Sequence, residues 1–538
     1  MTQFFMGYKT GVGPVLKILK YDTDNPLTLA NNQYSRYFFN SENEKLSYIF
    51  GMIEVDNRYN SWPSNGEYIQ QIGGNASTSK VTVLVDKNYS WSNSAAIYPV
   101  ARFKNIAPDH PYIPIPEVRI KDNVTGRVQA GKRIAFQNPG IITHYQFPYN
   151  IKKVKKKEFN RDQPWLGEIH SMFTNINIGD WIYQFQDRIT NGRGNGTTGA
   201  SYAESNGSES TRFILNHWDL PADQSAMTTY TNSTGLETLR INSSGFILTR
   251  PGYSVSGSSG IGQRIIDSNV SPSLCVMFGD SPSIPAGGNV LIPAPTGVTL
   301  SDTAVADFMY KGSGQEFYNP PFWPTAATTR FDVSYVINIS GLRIYNEGDV
   351  AMTVRYAVFN TDLSGTSTGG SQIIYKGTSG GEDFIQVKKP GTSDPASRPN
   401  DILLDTRFPN LQIIKEGFLP ASLFTTSGNE NPVIYGVQAY AVPFDAAGMT
   451  PYLKYTLVFN DYILPPINTK KYDLIGNWAM GRSSNQSCLA RLTDSSVKFW
   501  MNKGEWSERW WSGGSPSENS DGPDPLGIRY YIFGVANK

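Results

Sequence analysis

Two aspartates and their neighbours belong to the residue types that hydrolytic enzymes use. Asp180 and Asp187 flank the aromatic stretch 181–185, and Glu168 and His170 lie just upstream. Two carboxylates at a suitable separation are enough to cleave a glycosidic bond, one acting as the acid and the other as the base or nucleophile. The same alternation is that of an ordinary strand whose polar side chains face water. We adopt this second interpretation and predict no catalytic residue, with glycan cleavage as the enzymatic alternative.

Metal, phosphate and cofactor sites have no signature in the sequence. The histidines show no HExxH pairing and no i, i+4 spacing. They are His110, His144, His170 and His217. The chain has no GxSxG motif and no P-loop, and the glycine-rich run 192–196 lacks the strand and helix that aim backbone N–H groups at a phosphate. Cys275 and Cys488 are too few for a disulfide framework or a cysteine-based zinc site. We therefore predict no metal and no cofactor.

The main binding signal is a group of tryptophans in the last part of the chain. Trp506, Trp510 and Trp511 lie among charged residues, so at least one indole ring is expected at the surface. An indole ring has a flat apolar face and a polar edge, which suits stacking on a sugar as well as packing in a core or a subunit interface. Tyr318 and Trp323 form a second aromatic cluster, for which packing against a neighbouring sheet is the alternative. We predict that these residues take part in receptor binding.

The composition argues against several classes of function. The 538 residues carry a net charge of +1, which is too balanced for an electrostatic grip on nucleic acid or anionic lipid. The first residues lack the apolar stretch of a signal peptide, and no apolar run approaches the roughly 18 residues of a membrane span. We therefore expect a protein that is made in a cytoplasm without a signal peptide, binds no nucleic acid and does not insert into a membrane.

The same composition favours strands joined by many turns. Aromatic residues make up 13% of the chain, and 50 glycines and 34 prolines punctuate it. Alternation of apolar and polar residues predicts one half-buried strand in 331–345, and the same period recurs at 352–358, 453–459 and 81–85. The segment closest to a helical period, 401–411, is short and contains a proline. The sequence predicts an all-β, multi-domain fold of antiparallel sandwich or jelly-roll-like modules with long loops and little helix.

Changes in composition suggest where the chain divides. We interpret the lysine-rich run 152–157 as a linker, with a charged edge strand as the alternative, and 191–210 as a long polar loop. The tryptophan-rich end is interpreted as a tip or cap. The predicted parts are an N-terminal docking β module (1–150), a linker and loop-rich β region (151–240), a second copy of a small β module (241–300), a β-sandwich (301–469) and the C-terminal tip or cap (470–538).

An internal echo links two of these parts. Residues 11–51 and 246–279 each run from a Gly/Pro element through a polar linker to a Phe-Asn-Ser or Ile-Asp-Ser step, and then to a short apolar strand that ends in Phe-Gly. The second copy, with Thr-Arg-Pro-Gly-Tyr at 249–253 and Ile-Asp-Ser at 266–268, resembles short modules from the tail-tip and fibre region of tailed bacteriophages, especially those with long non-contractile tails. The first copy, with Phe-Asn-Ser at 39–41, looks like a divergent relative.

This resemblance implies a virion structural protein at the distal tail, which takes part in tail assembly and in host-surface attachment without catalysis. It implies other virion tail proteins as partners, a bacterial surface glycan or protein as the receptor, and a homo-oligomer, for which a trimer is the commonest fibre arrangement. Two other interpretations stay open: a tailspike that degrades glycan, and a capsid decoration or head-fibre protein. A secreted adhesin or surface-layer protein is a third alternative, against which the lack of a signal peptide argues.

Overall fold

Antiparallel strands dominate the chain, for which the structure is a computed structural model. It describes residues 2–42, 125–128, 237–256, 264–318, 333–360, 367–424, 439–457, 488–501 and 525–535, with short gaps inside several ranges, and gives strand positions alone elsewhere. The all-β expectation is confirmed. Helical structure in the described ranges comprises short 3-10 segments at Tyr34–Arg36, Pro399–Asp401 and Ala421–Leu423. In this part of the chain no helix is long and apolar enough to cross a membrane.

The strands fall into three consecutive units, each of which opens with a three-stranded sheet. The first unit contains β1 (Gln3–Lys9), β2 (Gly13–Leu19), β3 (Tyr37–Asn40), β4 (Tyr48–Ile49), β5 (Ile53–Asp56), β6 (Glu67–Ile72), β7 (Val81–Asp86), β8 (Ser90–Trp91), β9 (Ser94–Ala95), β10 (Tyr98–Phe103), β11 (Ile115–Asp122), β12 (Val128–Gly131), β13 (Arg133–Asn138), β14 (Ile141–Gln146), β15 (Asn150–Lys155), β16 (Trp181–Gln186) and β17 (Thr211–Asp219). The second contains β18 (Leu239–Asn242), β19 (Gly245–Thr249), β20 (Arg264–Asp267), β21 (Leu274–Asp280), β22 (Asn289–Pro293), β23 (Val305–Lys311), β24 (Phe317–Asn319), β25 (Val333–Asn338), β26 (Gly341–Asn346) and β27 (Thr353–Asn360). The third contains β28 (Ile374–Ser379), β29 (Glu382–Lys388), β30 (Ile402–Asp405), β31 (Leu411–Pro420), β32 (Tyr440–Pro443), β33 (Met449–Val458), β34 (Ile463–Leu464), β35 (Asn468–Thr469), β36 (Gly481–Leu492), β37 (Ser496–Ser512), β38 (Ser515–Asn519) and β39 (Gly527–Ala536).

The opening sheet has the same construction in every unit, and we call it a module. The modules are β1–β3, β18–β20 and β28–β30, and in each the middle strand pairs antiparallel with both neighbours. The pairing between the middle and third strands shifts register at one irregularity. The irregularity follows the pairs Ile18 with Phe39, Leu248 with Ile266, and Val387 with Leu404. These matching shifts align the three modules residue by residue.

A hydroxyl group fixes the end of the third strand in every module. The Oγ atoms of Ser41, Ser268 and Thr406 accept hydrogen bonds at 2.9, 2.9 and 3.0 Å from the backbone N–H groups of Leu16, Phe246 and Ile385. The backbone N–H of each hydroxyl residue donates back to the carbonyl oxygen of the same partner, at 2.9, 3.0 and 3.0 Å. Each hydroxyl residue therefore satisfies a buried backbone donor and acceptor beyond the last ladder pair.

The apolar faces of the modules meet in one buried cluster, the module core. It contains Leu16, Ile18 and Phe39 from the first module, Phe246, Leu248 and Ile266 from the second, and Ile385, Val387 and Leu404 from the third. Phe4, Leu239 and Ile374, at matching places on the outer strands, pack against it. Equivalent positions thus meet about a common centre, which gives the chain a quasi-threefold repeat. The echo predicted between 11–51 and 246–279 is a shared substructure, and 374–406 is a further copy.

A second shared feature is the sheet that follows each module. The next strand of the chain, β21 or β31, pairs antiparallel with the last strand of its unit, β27 or β39. On its other side that last strand pairs with an inner strand, β23 or β33. In the first unit, β4 and β5 together take the place beside β17, and β11 is the inner strand. The last strand of each unit is therefore a central strand of its sheet.

Strand pairing also joins each unit to the next. β12 of the first unit pairs with β25 of the second, β24 of the second with β36 of the third, and β35 of the third with β14 of the first. Each unit is therefore paired with both of the other units. The predicted boundaries at 300/301 and 469/470 fall inside the second and third units, and the predicted C-terminal tip or cap contributes β39, which lies between β31 and β33.

Residues 331–345 contain a hairpin, whereas alternation predicted a single half-buried strand. Ile339 and Ser340 form the turn between β25 and β26, and Ser340 N donates to Asn338 Oδ1 at 2.9 Å. Gly341 follows with φ +134°, and a Cβ atom there would lie 2.1 Å from a carbonyl oxygen of β22. Ile339, predicted on the buried face, is 78% exposed. The Asn-x-Ser-Gly turn signal overrides the apolar alternation here.

β27 is buried on both faces, although its alternation predicted one polar face. Val354 and Val358 pack in the core of the second unit, together with residues of β23, β25 and β26. Ala357 and Phe359 pack on the opposite side, in the core of the third unit. Arg355, on that second side, is 5% exposed. The sheet of the second unit is therefore covered on one side by its own strands and on the other by the third unit.

One further expectation changes in the structure. The lysine-rich run 152–157 overlaps β15, which stands at one end of a five-stranded sheet, so this part of the chain is an edge strand and not a linker. Charged residues suit an edge because they oppose pairing with another chain. The segment 401–411 is not helical, since it leaves a 3-10 segment and enters β30. The polar tract 191–210 lies outside the described residues.

Replacement of Ser268 tests the role of the hydroxyl. Ser268→Ala removes the acceptor of the buried Phe246 N–H and should lower the free energy of unfolding by about 1 to 3 kcal/mol. Ser268→Thr should be nearly neutral, because Thr406 makes the equivalent bond in the third module. Denaturant or thermal unfolding of the purified chain measures both changes. Equal losses in the two variants would contradict this role.

Candidate functional site

The second and third units meet at a buried joint of charged and aromatic side chains. Asp307 on β23 accepts a hydrogen bond from Tyr452 Oη and pairs with Lys454 Nζ, both on β33. The side chains of Asp307 and Lys454 are 5% and 3% exposed, so the ion pair is removed from water. The Phe278 ring packs edge-on against Tyr452, with the ring centroids 5.8 Å apart. A buried pair of this kind holds two surfaces in one relative position.

The paired charges occupy matching places in their units. Asp307 lies opposite Ala357 on the central strand β27, and Lys454 lies opposite Tyr531 on the central strand β39. On β27 the next residue, Val358, pairs with Met277, directly after the irregularity in β21. On β39 the next residue, Ile532, pairs with Lys415, directly after the irregularity in β31. Two units of the repeat therefore carry opposite charges at one structural position, and these charges neutralise each other across the joint.

Arg355 is the second anchor of the joint. Its Nε and Nη2 atoms donate to the carboxylate of Asp280 at 2.6 and 2.9 Å, and Nη1 donates to Pro451 O of the third unit at 2.8 Å. The guanidinium carbon lies 4.0 Å from the centroid of the Phe317 ring. The planar fork of arginine suits several simultaneous contacts of this kind. Arg355 thus ties β21 and β27 of the second unit to the backbone of the third.

The first module holds another buried polar cluster, around Lys17 and Glu42. Lys17 Nζ lies 2.6 Å from Glu42 Oε2 and donates to Asn31 Oδ1 at 3.3 Å. Asn40 Nδ2 donates to the same Asn31 oxygen at 3.1 Å, and Lys9 Nζ donates to Glu42 Oε1 at 2.7 Å. Burial disfavours the charged carboxylate, but hydrogen bonds from Lys17 and Lys9 outweigh it, so the pKa of Glu42 lies below its usual value. The cluster fixes the loop 20–36 against β2 and β3.

Cys275 and Cys488 are free thiols inside the core of the third unit. Burial raises the pKa of both thiols above the usual range. The thiolate is the nucleophile and the metal ligand, so burial keeps both side chains in their unreactive form. They act as small apolar packing residues.

The backbone of Trp506, Trp510 and Trp511 lies in β37, paired with β36 at Trp506 and with β38 at the other two. Their side chains lie outside the described residues, and so does Trp323. The same strand begins in the core of the third unit, where Phe499 is buried. The predicted recognition residues are therefore carried by the continuation of a core strand.

Tyr318 is the predicted binding residue whose side chain the structure describes. It is 7% exposed and packs against Leu489 and Trp500 across the pairing of β24 with β36. Burial raises the pKa of Tyr318 above its usual value. Tyr318 therefore packs against neighbouring strands, which was the alternative to a binding role. Little of its ring is left for an external ligand.

The polar clusters described above hold strands, a loop and two units in place. The acid candidates of the enzymatic alternative, Asp180, Asp187, Glu168 and His170, lie outside the described residues. Among the residues that are described, no group of three or more His, Cys, Asp and Glu side chains is placed to hold a metal ion. Asp307, Arg355 and Glu42 all act through ion pairs that fix strands or loops.

Sequence reasoning missed the ion clusters and the third module. The clusters have no local signal, because Lys17 and Glu42, or Asp307 and Lys454, are far apart in the chain. The third module does have a local sequence signal. Leu-Leu-Asp-Thr at 403–406 repeats the pattern of two apolar residues, Asn or Asp, and Ser or Thr that ends the first two modules.

Separation of the buried pair tests the joint. Lys454→Met leaves the Asp307 carboxylate buried without its cation and should lower the free energy of unfolding by about 3 to 5 kcal/mol. The double variant Asp307→Leu with Lys454→Met should recover most of this loss, because neither charge then has to be buried. Lys376→Met is the control, since Lys376 and Asp383 are 58% and 30% exposed and their pair should contribute less than about 1 kcal/mol. A double variant that is as unstable as the sum of both single variants would contradict the pairing.

Comparison with protein-family models, with curated proteins and with solved structures finds no match to the chain. Its function has to be inferred from its own residues, contacts and repeat.

Proposed function

We propose that the chain is a virion structural protein of a phage tail tip or tail fibre, which contributes to tail assembly and to host-surface attachment by binding. The resemblance of 246–279 to tail-tip and fibre modules supports this proposal. The repeat supports it as well, because the resembling segment supplies part of a module that recurs in the chain. Other virion tail proteins are the proposed partners, and a bacterial surface glycan or protein is the proposed receptor.

The observation that carries the proposal is the module core. Leu16, Phe246 and Ile385 occupy equivalent positions and meet in one cluster, so one chain presents three equivalent modules about a common centre. A surface that recurs three times matches a partner with threefold symmetry, because the same contact can then be made at each repeat. Fibres are most commonly trimers, which makes a tail fibre or its attachment point a suitable partner.

The outer strands of two modules offer an apolar docking surface. β1, β18 and β28 each stand at one end of a module sheet. Met6 on β1 and Ile241 on β18 pair with Leu16 and Phe246 and are 39% and 38% exposed. Two modules thus expose an apolar side chain at the same position, next to the module core. Apolar side chains that are repeated on a surface suit contact with another protein.

Attachment to the host is proposed for the aromatic residues of the last unit. Trp506, Trp510 and Trp511 follow the buried start of β37, so a strand that begins in the core carries them. Indole rings stack well on sugar rings, which are abundant on bacterial surfaces. A homo-oligomer, with a trimer favoured, remains the predicted state of the whole chain. Light scattering of the full-length protein measures it, and a mass of one 59.6 kDa chain would contradict that prediction.

Immunogold labelling of intact particles tests the location. An antibody against the purified chain should label the distal end of the tail, because that is where tail-tip and fibre proteins are assembled. Pre-immune serum is the control. Label on the capsid surface would instead support the capsid decoration or head-fibre alternative and would exclude the proposed location.

A turnover assay on host surface polysaccharide tests the non-enzymatic part of the proposal. The purified chain should bind cells without releasing oligosaccharides. If oligosaccharides are released, and if Asp180→Asn or Asp187→Asn abolishes the release, the chain is a glycan-degrading tailspike and the binding proposal fails.

A further inference from the structure

The buried cluster of the first module contains the groups that amide exchange between two side chains requires. Lys17 supplies an amine, Asn31 supplies a carboxamide, and Glu42 supplies a carboxyl group in contact with both. Lys17 Nζ lies 3.3 Å from Asn31 Oδ1 and 2.6 Å from Glu42 Oε2. The side chains of Lys17 and Glu42 are 0% and 2% exposed. The nitrogen of Lys17 is therefore held against an amide, with an acid–base group beside it, and both Lys17 and Glu42 are removed from water.

We propose that Lys17 and Asn31 react to form an intramolecular amide cross-link between β2 and the loop 20–36, with Glu42 as the general acid–base group. This modification rests on the geometry of the first module and does not depend on the proposed function.

The reaction is balanced without an oxidant or another reactant. Glu42 Oε2 takes a proton from Lys17 Nζ, and the freed electron pair of Nζ attacks Cγ of Asn31. The electrons of the C=O bond move to Oδ1, to which Asn40 Nδ2 already donates a hydrogen bond at 3.1 Å. The second proton of Nζ then passes to Asn31 Nδ2, the Cγ–Nδ2 bond breaks as the C=O bond forms again, and the leaving ammonia takes up the proton held by Glu42 and departs as ammonium. One C–N bond replaces another.

Two features of the cluster favour this reaction. Lys17 Nζ already lies 3.3 Å from Oδ1 of the carboxamide that it attacks, so folding has lost most of the entropy needed to bring the two groups together. Lys9 Nζ binds the other oxygen of Glu42 at 2.7 Å and holds the carboxylate beside Lys17.

Two other buried lysines in the described part of the chain have carboxylate partners. Lys388 pairs with Asp394 at 2.7 Å, and Lys454 pairs with Asp307. Both acceptors are carboxylates, which resist attack by an amine because they are already negatively charged. At the position that matches Lys17, the third module has Gln386, which donates to Asp405 at 2.8 Å. The contacts at the matching position of the third module therefore lack the amine that Lys17 supplies.

Mass spectrometry of the folded full-length protein tests the proposal. Its mass should be lower than the sequence mass by one molecule of ammonia. Trypsin cannot cleave after an acylated lysine, so the digest should contain a branched peptide in which 10–20 is joined to 21–36. Free peptides 18–20 and 21–36 in stoichiometric amounts would overturn the proposal. A mass that lacks ammonia but yields no branched peptide, as a succinimide would give, would overturn it as well.

Three variants locate the chemistry. Asn31→Ala and Glu42→Gln should both restore free peptide 18–20, because the first removes the acyl group and the second removes the acid–base group. Asn32→Ala is the matched control: Asn32 is the exposed neighbour of Asn31, and this variant should keep the branched peptide. A branched peptide in Asn31→Ala would overturn the assignment of Asn31. The wild-type digest decides the existence of the cross-link even where a variant fails to fold.

Discussion

A three-stranded sheet with one apolar face needs a cover for that face, and in this chain the modules cover one another. Leu16, Phe246 and Ile385 are all 2% exposed or less, although each belongs to a sheet of only three strands. A sheet that is apolar on one face has to bury it against another element. The modules are far apart in sequence, so the chain returns to the same centre each time it starts a new unit. This burial determines where every unit begins.

The rest of the architecture follows from that arrangement. Units that start at a common centre lie beside one another, and their sheets continue from one unit to the next through β12, β24 and β35. Where the second and third units touch, Asp307 and Lys454 form a buried ion pair. Burial of two charges costs desolvation, so such a pair contributes more to a defined relative position than to net stability. Arg355 acts in the same way through Pro451 O.

The sequence predicted the parts of this structure that have local causes. Aromatic residues, glycine and proline indicate short strands and turns, and the Asn-Ser and Asp-Ser steps revealed two modules because a hydroxyl is needed at one place in each. The third module escaped notice because Thr406 replaces serine there. Burial of Arg355 and Lys454 could not be predicted, because it depends on which sheet covers which. Alternation also placed Ile339 on a buried face, since a period of two continues through a turn of two residues.

Amide hydrogen exchange tests the common module core most directly. The N–H groups of Leu16, Phe246 and Ile385 each donate to a hydroxyl group at the same place in their modules. Ile266→Ala removes core volume from the second module alone. If the modules share one core, the exchange protection of all three amides should fall together, because they open as one cooperative unit. Loss of protection at Phe246 alone, with Leu16 and Ile385 unchanged, would contradict a shared core.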